Sequence, residues 1–129
     1  MTDGRIVADA SAVLALLQGE AFTGFEPSRL VGAHINAVNL SEVLAKLYQT
    51  GLTEASAIAA TAALDLVVLA FDETLARDTA RLRTRTRHAG LSLADCACLA
   101  SAMRLHAPAV TADRVWQKLD IGVEVVAIR

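Results

Sequence analysis

RIVADASAVLALL, residues 5–17, decides the fold. Its first part, RIVAD, is a short apolar run ending in an acid, the pattern of a buried strand with a polar residue at its carboxyl end. Its second part sets Val13, Leu14, Leu16 and Leu17 along one side of a helix, with Ser11 placed to cap it. A strand that runs straight into a helix opens a strand–helix–strand unit, and such units build parallel sheets.

The same alternation continues outward from this segment. Residues 19–30 carry Gly19, Gly24 and Pro27 and read as irregular or as a short helix. VGAHI (31–35) reads as a second strand. Asn39 and Glu42 are spaced as a capping box for a helix ending near Gly51. Thr53 starts an Ala-rich helix to about Asp65, and LVVLAF (66–71) reads as a buried strand. Asp72 caps an Arg-studded helix to about His88, closed by Gly90. Ser92 and Asp95 form another cap-like pair. The helix they start is apolar on nearly every side to His106, so it belongs at the centre, and Pro108 stops it. AVT (109–111) is a strand, 113–119 a short helix and VEVVAI (123–128) a last strand. The expectation is one domain, 1–129, of α/β class. It is a three-layer α/β/α sandwich with a central, mainly parallel sheet.

The composition agrees. At 129 residues, 54% hydrophobic and 20% charged, the chain can bury a core and is not disordered. Cys96 and Cys98 lie two apart, which suits neither a disulfide framework nor a zinc site, so both read as buried thiols in a reducing compartment. No basic-then-apolar leader and no long uncharged apolar stretch is legible, so a cytoplasmic protein with no membrane partner is expected. No phosphate-binding Gly motif follows the first strand, which argues against a nucleotide fold.

Four acids stand in apolar, chain-ordering contexts: Asp9 in IVADASAVLALL, Glu42 in NAVNLSEVLAKL, Asp95 in LSLADCACLASA and Asp113 in AVTADRVW. A core tolerates such groups only when they are paired, hydrogen-bonded or metal-bound. Asp9 and Asp113 fall at carboxyl ends of strands, where parallel sheets bind ligands. Glu42 and Asp95 fall in first turns of helices that start on that edge. Carboxylates of this kind suit Mg²⁺ or Mn²⁺, which activates water and offsets charge during phosphoryl transfer. Each acid also has a plain structural reading. Asp9 serves equally as a strand-end turn residue, Glu42 as the partner of Asn39 or Lys46, Asp95 as the partner of Ser92, and Asp113 as a cap for the turn carrying Trp116. Ser11 and Thr111, beside Asp9 and Asp113, are placed to orient a carboxylate, water or phosphate. His34, His88 and His106 lie outside this set, so metal-bound water is a better base than histidine.

Twelve basic and 14 acidic side chains give a net charge of −2. Setting the four site acids aside leaves 12 against 10, so nucleic acid is not excluded as a substrate. Arg77, Arg81, Arg83, Arg85 and Arg87 stud one helix and are candidates for holding a phosphate backbone. The alternative is a solvated helix. The few aromatics are scattered, so phosphate and shape contacts are favoured over base stacking. Met103 is read as core and Trp116 as an anchor for the last short helix. The Ala-rich helix 53–65 and the outer side of 40–48 are adhesive enough to meet another chain.

VADASAVLALL (7–17), NLSEVLAKL (39–47), GLSLADCACLASAMRL (90–105) and TADRVW (111–116), in this order, resemble a PIN domain. More narrowly they resemble a VapC-type ribonuclease toxin of a toxin–antitoxin pair. The resemblance covers nearly the whole chain. It implies a metal-dependent endoribonuclease, with Asp9, Glu42, Asp95 and Asp113 as acidic metal ligands, Thr111 as the auxiliary hydroxyl and Ser11 as the small polar residue after the first acid. It implies Mg²⁺ or Mn²⁺ as cofactor and structured RNA, often transfer RNA, as substrate, with 5′-phosphate and 3′-hydroxyl products. It also implies a homodimer and a small DNA-binding VapB-type antitoxin, through which alone operator DNA is bound. Segment 19–31 departs from the pattern by its weak helical signal, which bears on how an antitoxin grips. A metal-dependent phosphatase and a non-catalytic RNA-binding or interaction module are the rival readings.

Overall fold

The computed structural model describes residues 4–129, so residues 1–3 of the expected domain lie outside the described residues. Five short strands, β1 (Val7–Ala8), β2 (His34–Asn36), β3 (Val67–Leu69), β4 (Ala109–Thr111) and β5 (Val125–Ala127), form one sheet in the order β3-β2-β1-β4-β5. Every pairing is parallel, and β1 lies in the middle, with Val7 opposite His34 on one side and Ala109 on the other. The helices are α1 (Ala10–Leu17), α2 (Ala37–Gln49), α3 (Glu54–Ala62), α4 (Glu73–Arg85) and α5 (Leu93–Leu105).

Strand alternation divides the core into two layers. Ile6, Ala8, Ile35 and Val110 face one way, onto Val13 of α1, Val43 and Leu47 of α2 and Ala57 of α3. Val7 and Ala109 face the other way, onto Leu75 and Leu82 of α4, Leu99 of α5 and Trp116. Fully buried Val and Leu side chains contribute about 1.5–3 kcal/mol each, so these two faces fix a three-layer α/β/α sandwich. The chain winds from β1 out to β3 and then returns to the far side of β1 for β4. That reversal leaves a crevice at the carboxyl ends of β1 and β4, where open parallel sheets place their ligands.

Several local expectations are corrected. Asp9, not Ser11, caps α1: its carboxylate accepts from the Ala12 N–H. Asn36, not Asn39, caps α2 and bonds the Val38 N–H, because the helix begins directly where β2 ends. The second strand therefore runs over 34–36 and not 31–35. The strand at 66–71 is not buried, because β3 is a sheet edge, and Val67 and Val68 are exposed. Met103 is exposed on the outer side of α5 and is not core. The Thr53, Asp72 and Ser92–Asp95 caps form as expected. Helix α5 is central, Trp116 is fully buried, and both cysteines are free and buried. Among the described residues no helix is long and apolar enough to cross a membrane.

Candidate active site

Asp9 directly follows the central strand and caps α1, so the sheet delivers its carboxylate to the crevice. It is 5% exposed. Three donors hold it. Thr111 Oγ1 donates to Oδ2 at 2.6 Å, the Ala12 N–H donates to Oδ1 at 2.9 Å, and the Ser11 hydroxyl lies 2.8 and 2.9 Å from the two oxygens. The clamp is itself braced. Thr111 Oγ1 accepts from the Asp113 N–H at 3.0 Å, and Ser11 Oγ accepts from the Ala112 N–H at 2.9 Å. The carboxyl end of β4 is thereby stitched to the first turn of α1.

Burial pushes the Asp9 carboxyl up from 3.8 to about 6, and the negative charge of Asp95 adds to that. The hydrogen bonds from Thr111, Ala12 and Ser11 oppose the rise without cancelling it. A buried carboxylate so held has much to gain from a cation.

Asp95 and Glu42 line the same cavity of about 390 Å³ as Asp9 and Ser11, together with Lys46 and Gln49. Asp95 is fixed by its capping box: its Oδ2 accepts from the Ser92 N–H at 3.0 Å, and its own N–H donates to Ser92 Oγ at 3.1 Å. Asn39 is buried inside α2, and its Nδ2 donates to the Ala94 carbonyl at 3.1 Å and reaches Glu42 Oε1 at 3.4 Å. Asn39 thus ties the helix of Glu42 to the first turn that carries Asp95.

The apolar surroundings predict burial for all four acids, and only Asp9 is buried. Asp95 is half-buried, and Glu42 and Asp113 are exposed. In α2 the inward residues are Asn39, Val43 and Leu47, so Glu42 is turned about 100° from that line. Asp113 does not line the cavity. It caps the 3₁₀ turn Arg114–Lys118 through the Val115 N–H at 3.0 Å, and only its backbone joins the cluster at Thr111.

Among the described residues no three His, Cys, Asp or Glu side chains are gathered closely enough to hold a metal ion. In donor type the three cavity carboxylates fit a hard divalent cation, which takes oxygen ligands. They line one cavity without being gathered on a common point. No histidine lines the cavity. Reading by residue takes Asn39 and Lys46 only as local partners of Glu42 and does not single out Gln49, whereas Lys46 and Gln49 line the cavity and Asn39 braces it. The spacing 42, 46, 49 on one helix face was the available signal for Lys46 and Gln49.

The five arginines are not equivalent. Arg77 pairs with Glu73 and Arg81 with Asp78, along α4 itself. Arg85 is exposed, and Arg83 and Arg87 line a second cavity.

The fold is similar to that of a toxin–antitoxin complex from Klebsiella pneumoniae, at 14% identity and TM-score 0.70, over 96% of this chain and 98% of that chain. It is also similar to Mycobacterium tuberculosis VapC20, a sarcin–ricin loop cleaving toxin, at 16% identity and TM-score 0.69, over 92% and 98%. A third similar structure is VapBC2 from Rickettsia felis bound to a DNA fragment from its promoter, at 13% identity and TM-score 0.72, over 95% and 98%. No curated protein matches the chain in sequence. The PIN domain family model matches residues 6–122, which span all three cavity carboxylates and the hydroxyl clamp, and the chain belongs to the PIN domain family.

Proposed function

We propose that the protein is a VapC-type endoribonuclease toxin that hydrolyses phosphodiester bonds in structured RNA with the help of Mg²⁺ or Mn²⁺. The observation that carries this reading is the buried Asp9 carboxylate, clamped by Ser11 and Thr111 and sharing a cavity with Asp95 and Glu42. Family membership and the likeness to three toxin structures support it.

Asp9, Asp95 and Glu42 would hold the cation, with Asp113 recruited from the adjoining turn. When bound, such an ion neutralises phosphate charge and lowers the pKa of water. Ser11 and Thr111 keep the Asp9 oxygens oriented, and their backbone braces keep those hydroxyls from turning away. Lys46, which forms no ion pair among the described residues, supplies positive charge at the cavity wall for the substrate phosphate. The partners follow from the same reading: a VapB-type antitoxin, a second copy of this chain, and operator DNA only through the antitoxin.

The test is incubation of antitoxin-free protein with total cellular RNA, with Mg²⁺, with Mn²⁺ and with chelator, beside Asp9→Asn. Discrete fragments that require both metal and Asp9 are the expected result, and their ends identify the target. Fragments that persist with chelator or in Asp9→Asn would overturn the reading. So would intact RNA with folded, metal-loaded protein.

A further inference from the structure

Residues 90–95, Gly-Leu-Ser-Leu-Ala-Asp, line three cavities in succession. Gly90 and Leu91 line one with Arg83, Thr84 and Arg87. Ser92, Leu93 and Ala94 line the next with Val38 and Glu42. Asp95 lines the carboxylate cavity, which also contains Glu42. Four Cα steps separate Leu91 from Asp95, so the Cα atoms of these two residues, which line the first and last cavities, lie at most ~15 Å apart. Gly90 makes the path possible. Its φ of +68° turns the chain from the 3₁₀ turn Arg87–Ala89 into α5, a conformation other residues adopt only with strain.

The first cavity, of about 480 Å³, presents two guanidinium groups four residues apart and the Thr84 hydroxyl, and no carboxylate lines it. Arg83 and Arg87 form no ion pair among the described residues, whereas Arg77 and Arg81 pair with Glu73 and Asp78. A strand carrying one phosphate at the carboxylates therefore finds a cationic fork for a neighbouring phosphate. Guanidinium groups match phosphate oxygens in charge and geometry.

We propose that Arg83 and Arg87 form a subsite for a backbone phosphate flanking the scissile one in single-stranded RNA. The strand runs from there past Leu93 and Val38 to Asp95 and Asp9. This assignment rests on the endoribonuclease reading for its register, but not for its charge. It separates a binding pair, at the end of α4 and in the turn that follows, from Arg77 and Arg81, which stay on the solvated surface of α4.

The test uses full-length Asp9→Asn protein in chelator, so that RNA is bound and not cut, with a fluorescein-labelled single-stranded oligouridylate followed by anisotropy at several salt concentrations. All four arginines are exposed, and matched thermal melts verify that the variants fold. Arg83→Gln with Arg87→Gln should weaken binding roughly tenfold or more and reduce the salt slope by about 1–2. Arg77→Gln with Arg81→Gln should change affinity less than about twofold, since those charges are already paired. Equal losses from the two pairs, or no loss from Arg83 and Arg87, would overturn the subsite. The same substitutions in the Asp9 background separate the two proposals. Metal-dependent cleavage unaffected by Arg83→Gln with Arg87→Gln defeats the subsite and leaves the nuclease. Binding that needs Arg83 and Arg87 in a protein that cuts no RNA retains the subsite and defeats the nuclease.

Discussion

At the scale of the residue, Asp9 is held against its own preference. Its carboxyl titrates near 6 in the folded chain and at 3.8 when unfolded. Between those values the folded state binds more protons, so this group makes stability fall as pH rises, and its full cost is present above about pH 6. The difference corresponds to about 3 kcal/mol. Asp9→Asn removes the ionisation. It keeps an acceptor for the Ala12 N–H, and the Ser11 and Thr111 hydroxyls can turn to accept from the new amide. In chelator, urea unfolding should show Asp9→Asn more stable than wild type by about 1–3 kcal/mol above pH 6, with the gap closed below pH 3.8. A gap that does not change with pH would mean that burial does not set this pKa. The place of Asp9 at a strand end was legible from an acid closing an apolar run. Its capping role was not, because Asp9 and Ser11 are both good caps and only the helix start decides between them.

At the scale of the element, caps place the site, and two of them were read differently from the folded chain. Asn36 joins β2 to α2: its Oδ1 accepts from the Val38 N–H at 2.8 Å and its Nδ2 donates to Ser101 Oγ of α5 at 3.0 Å. It is fully buried. Asn36→Ala loses the cap and the interhelical bond together and should cost about 2–3 kcal/mol in denaturant unfolding. A cost under about 0.5 kcal/mol would show that α2 is positioned by apolar packing alone. Asn39 looked like the cap because Glu42 follows it at capping-box spacing. In the fold Asn39 faces inward and bonds α5, a role that depends on which helix lies opposite. By contrast, the Ser92–Asp95 box was legible because both of its bonds are local.

At the scale of the whole molecule, three carboxylates, from the β1–α1 junction, α2 and α5, meet at one cavity without being gathered on a common point. A cation that draws them together binds only the folded chain and so stabilises it, by about 2.7 kcal/mol at one hundred times its Kd. Mn²⁺ or Mg²⁺ should raise the Tm by several degrees above pH 6 and progressively less below it, as Asp9 takes up its proton. Chelator should reverse the rise, and Asp9→Asn should show little of it. A rise of equal size in Asp9→Asn would place the cation elsewhere.

The sequence by itself determined the layer pattern, the central apolar helix, the local caps at Thr53, Asp72 and Ser92, and the candidate acids, since all of these rest on periodicity and short-range bonds. Only the tertiary structure decided that β1 is the middle strand and β3 an edge. It likewise decided that Asp9, Glu42 and Asp95 share a cavity while Asp113 turns to its own cap, and that Arg83 and Arg87 line a second cavity while Arg77 and Arg81 pair along α4. The reason is physical. Strand order, exposure and side-chain convergence depend on residues distant along the chain, and no local spacing encodes which of them become neighbours.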